Sequence, residues 1–293
     1  MINTYLKYLL YEKNYSEHTI LSYKNDLLQV KAFATQIDPS LEISDLNHKT
    51  LRAWIVSLIE EKISPRSVNR KIATLRSFYK FLHSREIINS NPAFKLKPLK
   101  TDKPLPEFVQ KKEMDLLLDK VDFSDDFFGL RDKLILELFY GTGIRLSELI
   151  YISDRSISLY DNTVKVLGKR NKERVIPLTK EIVNIINIYI AKRNEMFGES
   201  KDDVLLLTDT GMKCYPMMVY RTVKKYLEYI TKSSKKSPHV LRHTFATHLL
   251  DKGADLNAVK DLLGHSSLAA TQVYTHNSLE KLKSVFDQAH PKA

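Results

Sequence analysis

Apolar residues in the first 90 positions recur every three or four residues, the spacing that places them on one face of an amphipathic helix. Ser16 is expected to cap a helix that runs to about Phe33. Two further helices, one before it and one after it, are marked by Leu6, Leu9, Leu10, Leu51, Trp54, Ile55 and Leu58. This part of the chain is therefore predicted to be a small helical bundle.

A fourth helix is predicted to begin at Ser64, which can serve as its cap, and Pro65, which fits its first turn. The positions that form its apolar face are Val68, Ile72, Leu75, Tyr79 and Leu82. At about 100° per residue, four basic positions fall within about 120° of one another on the opposite side. These positions are Arg66, Arg70, Arg76 and Lys80, and no acidic residue lies between Ser64 and Arg85.

Four like charges on one helix face repel each other, so such a face commonly has an anionic partner. We therefore interpret Arg66, Arg70, Arg76 and Lys80 as contacts to a DNA backbone. The alternative is the solvated face of an ordinary surface helix.

A proline-rich segment separates this bundle from the rest of the chain. Pro92, Pro98, Pro104 and Pro106 lie close together with lysines between them, and proline stiffens an extended chain. We predict an N-terminal DNA-binding domain at residues 1–91, a linker at 92–108 and a C-terminal domain at 109–293.

The second segment is also mostly helical in pattern, apart from one region in which the apolar spacing changes. Short strands are predicted there at 157–159, 163–167 and 174–176, with a hairpin turn at 168–172. Helices are predicted at 111–120, 126–140, from near 145, and at 179–193, 216–231, 238–250, 255–263, 267–274 and 278–288. The last helix, with Leu282, Val285 and Phe286, is expected to dock on a neighbouring protomer or, alternatively, on its own domain. The chain is thus predicted to be mainly α with a small three-stranded sheet.

Composition narrows the possible functions. The 293 residues include 46 Lys and Arg against 35 Asp and Glu, a net charge of +11, which favours a polyanionic partner such as nucleic acid. The single cysteine, Cys214, excludes a disulfide scaffold and a cysteine-based zinc site. Eight glycines form no phosphate-binding motif, so a nucleotide cofactor is not expected. No apolar run of membrane-spanning length and no signal-peptide pattern is found, so we expect a cytoplasmic protein without membrane association.

The stretch 237–248 holds the strongest candidate for a phosphate site. Ser237 and Pro238 are expected to start a helix, and His239 and Arg242 share one face near its N-terminus. The positive end of the helix and two donor side chains suit a phosphate group. The spacing of His239 and His243 resembles a zinc motif, but the glutamate and a third ligand are missing, so no metal is expected.

Three further places offer candidate residues. Gly141-Thr142-Gly143 allows a tight turn from which Arg145 emerges, and Glu148 is placed to orient its guanidinium group. Lys169 lies at the hairpin tip. His265 follows Gly264, the expected left-handed cap of a helix, and Tyr274 lies nine residues further on. Each feature alone also fits a structural role, namely an ion pair, a solvated turn lysine or a core tyrosine.

In combination and in this order, these motifs resemble those of the tyrosine recombinases, the phage-type integrases. Gly-Thr-Gly-x-Arg, a lysine hairpin, His-x-x-Arg, Leu-Gly-His and a tyrosine nine residues later all occur here. The length and the closing Ala-His-Pro-Lys-Ala resemble the Xer branch, which resolves chromosome dimers in bacteria. The resemblance covers essentially the whole chain.

The resemblance implies a SAM-like, core-binding N-terminal domain and an α-rich catalytic domain whose small sheet is antiparallel. It implies a clamp on double-stranded DNA and cleavage through a 3′-phosphotyrosine, without cofactor or metal. The implied catalytic residues are Arg145, Lys169, His239, Arg242, His265 and Tyr274, with Glu148 as a supporting acid. The family hairpin often has glycine where this chain has Arg170, so Lys172 is the alternative to Lys169.

The implied partners are DNA, a homo- or heterotetramer of recombinases, and a DNA translocase of the division machinery. A mobile-element recombinase, a type IB topoisomerase-like relaxer, a non-catalytic DNA-binding regulator and a metal-dependent hydrolase remain the alternatives. The target sequence is not readable from the chain, because base recognition depends on geometry.

Overall fold

The computed structural model describes residues 1–101, 107–168, 173–198, 203–264, 286 and 288–291. Contacts divide the chain into two compact units, Met1–Pro104 and Leu105–Ala293. Each unit has its own hydrophobic core. The predicted helices 267–274 and, except for residues 286 and 288, 278–288 lie outside the described residues.

The N-terminal unit is a helical bundle, as predicted. Its elements are α1 (Ile2–Lys7), a π-helical continuation (Tyr8–Glu12), α2 (Glu17–Ile37), α3 (His48–Glu60) and α4 (Pro65–Ser84). Ser64 caps α4 by accepting a hydrogen bond from the Ser67 amide, whereas Ser16 stands at the cap position of α2 without a side-chain bond to the backbone. The predicted apolar face of α4 is buried in the bundle.

The first part of the proline-rich segment packs on this bundle. Ala93 and Leu96 are buried in its core. The Asn69 side chain donates to the Leu99 carbonyl at 2.9 Å and accepts from the Leu99 amide at 2.6 Å. Residues 92–99 are therefore held on the bundle by apolar and polar contacts, and the linker role of residues 92–108 stays a prediction.

The C-terminal unit is α-rich, with one small sheet. Its helices are α5 (Lys111–Asp115) with a π-helical continuation (Leu116–Lys120), α6 (Phe127–Thr142), α7 (Leu146–Leu149), a 3-10 turn (Asp154–Ser156), α8 (Lys180–Phe197), α9 (Pro216–Ile230), α10 (Pro238–Asp251) and α11 (Leu256–Leu263). Helix α6 packs against both α8 and α10. The Asp255 carboxylate caps α11 by accepting from two backbone amides at 3.0 Å.

The sheet consists of β1 (Ile157–Ser158), β2 (Thr163–Leu167) and β3 (Glu173–Pro177) in the order β1-β2-β3, and both pairings are antiparallel. Val164 pairs with Ile176 and Val166 pairs with Arg174. All four of these side chains are buried. A mainly α fold with a small three-stranded antiparallel sheet is thereby confirmed.

The described C-terminal residues pack on their own chain. Phe286 and Ala289 belong to the core of the C-terminal unit. The buried His290 ring lies 3.0 Å from the Gly141 carbonyl, and Lys252 donates to the His290 carbonyl at 2.7 Å. Leu282 and Val285 lie outside the described residues, so docking of the predicted last helix on a neighbouring protomer stays a prediction.

No helix in the ranges given above is both long and apolar enough to cross a membrane.

Candidate active site

A glycine turn at the end of α6 begins the site. Gly143 has a left-handed conformation with φ of 59°, which costs little only for glycine. A Cβ atom there would lie 2.5 Å from the Phe245 ring and 2.7 Å from Leu263. The chain therefore needs glycine here both for the turn and for close packing against α10 and α11.

Arg145 follows this turn as the first residue before α7. Its Nη1 donates to Glu148 Oε1 at 2.7 Å and its Nη2 donates to the Gly264 carbonyl at 2.9 Å. The Arg145 amide donates to Glu148 Oε2 at 2.8 Å. The Arg145 side chain is 28% exposed while that of Glu148 is 2% exposed, so a buried acid orients a guanidinium group that reaches the surface. This is the orientation that the three-residue spacing predicts.

Arg174 on β3 is a second partner of Glu148 that the sequence motifs do not predict. Its Nη1 and Nη2 donate to the two Glu148 carboxylate oxygens at 2.7 and 2.8 Å, a bidentate pair. Its Nε donates to the Leu262 carbonyl at 3.0 Å. A signal for it was present in the sequence, because Arg174 has the same strand phase as the buried Ile176.

Arg242 emerges from the second turn of α10 and is buried. Its Nη1 donates to the Gly143 carbonyl and its Nη2 to the Leu263 carbonyl, both at 2.5 Å. The side chain therefore joins the turn before Arg145 to the end of α11.

The three guanidinium groups hold three consecutive carbonyl groups at residues 262–264. Carbonyl groups in the last turn of a helix have no partner within the helix, and cations are favoured there. Gly264 ends α11 in the left-handed conformation with φ of 63°, as predicted. The arginines thus anchor the chain at the point where it leaves α11 toward His265.

The charges at this site favour an anionic ligand. Burial alone raises the pKa of Glu148, but hydrogen bonds and charge from Arg174, with bonds from Arg145, outweigh it and hold the pKa at about 2. Burial, followed by the charges of Arg145 and Arg174, lowers the pKa of Arg242 to about 9. At neutral pH one carboxylate therefore faces three cationic groups, and the surplus positive charge is available to a phosphate.

Of the remaining predicted catalytic residues, only His239 lies within the described part of the chain. His239 is exposed on the first turn of α10, three residues before Arg242. Lys169 and its alternative Lys172, like His265 and Tyr274, lie outside the described residues. Pairing of Leu167 with Glu173 brings the two ends of the 168–172 hairpin together.

The four basic residues of α4 differ in whether their side chains have partners within the bundle. Arg66 and Lys80 are exposed. Arg70 forms an ion pair with the buried Asp26, and Arg76 donates to the Leu96 carbonyl. Two of the four guanidinium and ammonium groups therefore already have partners within the bundle. A DNA contact by these residues stays a prediction.

Comparison with known proteins identifies the family. Residues 107–281 match the Phage integrase family model, and residues 2–86 match the Phage integrase, N-terminal SAM-like domain. Tyrosine recombinase XerC of Staphylococcus saprophyticus subsp. saprophyticus is 40% identical over 293 residues, which cover 99% of this chain and 96% of the relative. Tyrosine recombinase XerD of Staphylococcus haemolyticus is 36% identical over 294 residues, which cover 100% and 99%.

Among solved structures, the XerH site-specific recombinase bound to palindromic difH substrate shares the fold. Its TM-score is 0.71 at 20% identity, with 97% of this chain and 83% of that chain covered. The resemblance expected from the ordered motifs is therefore confirmed. The chain belongs to the phage integrase family of tyrosine recombinases, enzymes that cut and rejoin DNA.

Proposed function

We propose that this recombinase acts at specific DNA sites in chromosome dimer resolution and forms a 3′-phosphotyrosine through Tyr274. The observation that supports it most is the convergence of Arg145 and Arg242 on adjacent carbonyl groups at the end of α11. Two forked cations that lie this close suit the two non-bridging oxygens of one phosphodiester. The relatives named XerC and XerD support the chromosomal role.

In the proposed reaction, Arg145 and Arg242 neutralise the phosphate as charge develops in the transition state. His239, at the start of α10, accepts the proton of the Tyr274 phenol, whose ordinary pKa of about 10 makes it a weak nucleophile at neutral pH. His265 donates a hydrogen bond to the phosphate. Glu148 and Arg174 act behind Arg145 by holding its guanidinium group in place.

DNA cleavage in this proposal forms one bond to phosphorus and breaks another. The phenol oxygen bonds to phosphorus, and the bond from phosphorus to the 5′ oxygen breaks. Lys169 donates a proton to that departing oxygen. The phosphotyrosine ester keeps the bond energy, so a second 5′ hydroxyl can reverse the step and join a different strand without ATP.

We infer that the working assembly is a tetramer of recombinases on paired DNA sites, of one kind of subunit or two, activated by a DNA translocase of the division machinery. A chromosomal substrate places the protein in the bacterial cytoplasm. A recombinase of a mobile element uses the same chemistry and differs in its target. A plasmid assay with one versus two target sites separates strand exchange from topoisomerase-like relaxation.

The decisive test uses Tyr274→Phe on nicked duplex DNA. We expect the variant to bind DNA with unchanged affinity, because only a hydroxyl group is lost, and to form no covalent protein–DNA adduct on a denaturing gel. An adduct formed by this variant would end the assignment of Tyr274.

A further inference from the structure

The loop between α9 and α10 surrounds a single carboxylate with hydrogen-bond donors. Ser233 Oγ donates to Glu107 Oε2 at 2.5 Å, and Ser234 Oγ lies 3.0 and 3.2 Å from the two carboxylate oxygens. The Lys235 amide donates at 3.2 Å, and its Nζ lies 3.3 Å from Glu107 Oε1. We call these donors from Ser233, Ser234 and Lys235 the loop cradle.

The donors of the loop cradle are those that bind phosphate groups in proteins: two hydroxyls, a backbone N–H and an ammonium group. Lys232 and Lys236 flank them in the sequence. The bonds from Ser233, then from Ser234, hold the pKa of Glu107 at about 2, so an anion already occupies the loop cradle at neutral pH. The cradle is therefore built for a negative group and is filled by one from the same chain.

The loop cradle lies next to the active site along the chain. The loop ends at Ser237, the cap residue of α10, and His239 and Arg242 follow on the first two turns. Lys235 lies four positions before His239, a span of at most about 14 Å. Phosphates on one DNA strand advance about 3.4 Å along the axis for each base. A strand held at Arg242 therefore has neighbouring phosphates within reach of the loop cradle.

The loop cradle is also open to solvent. The Lys235 side chain is 52% exposed and that of Glu107 is 32% exposed. A ligand can approach the donors without any opening of the core, and the Glu107 carboxylate can move away from them into water.

We propose that the loop cradle is a binding site for a backbone phosphate of the DNA, that Glu107 occupies it when DNA is absent, and that the phosphate displaces the carboxylate. This proposal rests on the proposed function, since it places a second phosphate beside the one that is cut. Glu107 is then an internal competitor, which lowers DNA affinity and leaves the cleavage chemistry untouched.

Equilibrium binding of the full-length chain to duplex DNA, measured by fluorescence anisotropy over a range of salt concentrations, tests the proposal. Glu107→Gln keeps the shape of the side chain and removes its charge. We expect DNA affinity to rise on the order of fivefold, the range that an exposed charge contributes. The slope of the logarithm of the affinity against the logarithm of the salt concentration should also become steeper, by the equivalent of about one released counterion. The reason is that one more cationic group becomes available to phosphate.

Two further variants complete the test. Ser233→Ala with Ser234→Ala, introduced into the Glu107→Gln chain, should remove the gained affinity, since the donors are then missing. Glu195→Gln, which neutralises an exposed glutamate paired with Lys192 on α8, is the matched control and should leave affinity unchanged.

Equal or weaker DNA binding by Glu107→Gln would overturn the loop cradle as a phosphate site and leave Glu107 as an anchor of the loop. Failure of the proposed function looks different. In that case the wild-type chain forms no covalent adduct with DNA, whatever the affinity of the Glu107 variant.

Discussion

Replacing Glu148 by Gln removes the carboxylate that two arginines share at the active site. The pKa of Glu148 is about 2 in the folded chain against an ordinary 4.5, because the bonds and charge of Arg174 and the bonds of Arg145 outweigh the effect of burial. At about 1.4 kcal/mol for each pH unit, the difference corresponds to about 3 kcal/mol of stability. Removing one partner of a buried ion pair costs about 3–5 kcal/mol, which agrees with this value.

The stabilisation has a defined pH dependence. Because the pKa is lower in the folded chain, the contribution is complete above about pH 4.5 and is lost as the pH falls toward 2. We expect Glu148→Gln to lower the free energy of unfolding by about 3 kcal/mol at pH 7 and by about 1.5 kcal/mol at pH 3. For a domain of this size the loss at neutral pH corresponds to a Tm decrease of about 6–12 °C.

Thermal and urea unfolding of the full-length chain, followed by circular dichroism between pH 3 and pH 7, measures both effects. The matched control is Glu195→Gln, because Glu195 also pairs with a basic residue three positions away but is 70% exposed. An exposed pair of this kind contributes less than about 1 kcal/mol. A difference between wild type and Glu148→Gln that stays constant from pH 7 to pH 3, or that matches the control, would refute the reasoning.

Two predictions concern other residues of the site. Arg242→Lys should slow DNA cleavage on the order of 10²-fold or more while DNA binding changes little. The reason is that one ammonium group cannot form both hydrogen bonds that Arg242 donates to the Gly143 and Leu263 carbonyls. Equal losses of binding and cleavage in a nicked-substrate assay would contradict this role. Lys169→Ala should slow cleavage about 10²–10⁴-fold, and a substrate whose leaving group needs no proton should restore the rate; if Lys172→Ala shows this pattern instead, Lys172 is the proton donor.

Local rules account for much of the fold. Ser64 and Pro65 start α4, and the left-handed Gly264 ends α11, where the sequence predicts. These features depend on neighbouring residues, so they are visible in a linear pattern. The helix predicted at 179–193 extends to Phe197, because helix ends depend on packing that the pattern does not contain.

Contacts between residues far apart in the sequence do not appear in a linear pattern. The basic face of α4 was predicted to need an external anion, but Asp26 lies 44 positions before Arg70 and supplies one inside the bundle, where Lys71 also binds it at 3.0 Å. Arg174 is not predicted for the same reason, since it belongs to the site only through its hydrogen bonds to Glu148, which lies 26 positions away. The motif order predicts Arg145, Arg242 and the supporting acid Glu148, but not Arg174, which binds that acid.

The most direct measurement is the identity of the residue that carries DNA. The wild-type chain is trapped on nicked duplex DNA, digested with a protease and a nuclease, and the nucleotide-bearing peptide is sequenced by mass spectrometry. The chain has 15 tyrosines, so the experiment distinguishes Tyr274 from 14 other candidate tyrosines. The account predicts a 3′-phosphate linked to Tyr274 alone, and a linkage to any other residue, or a 5′-phosphate linkage, would contradict it.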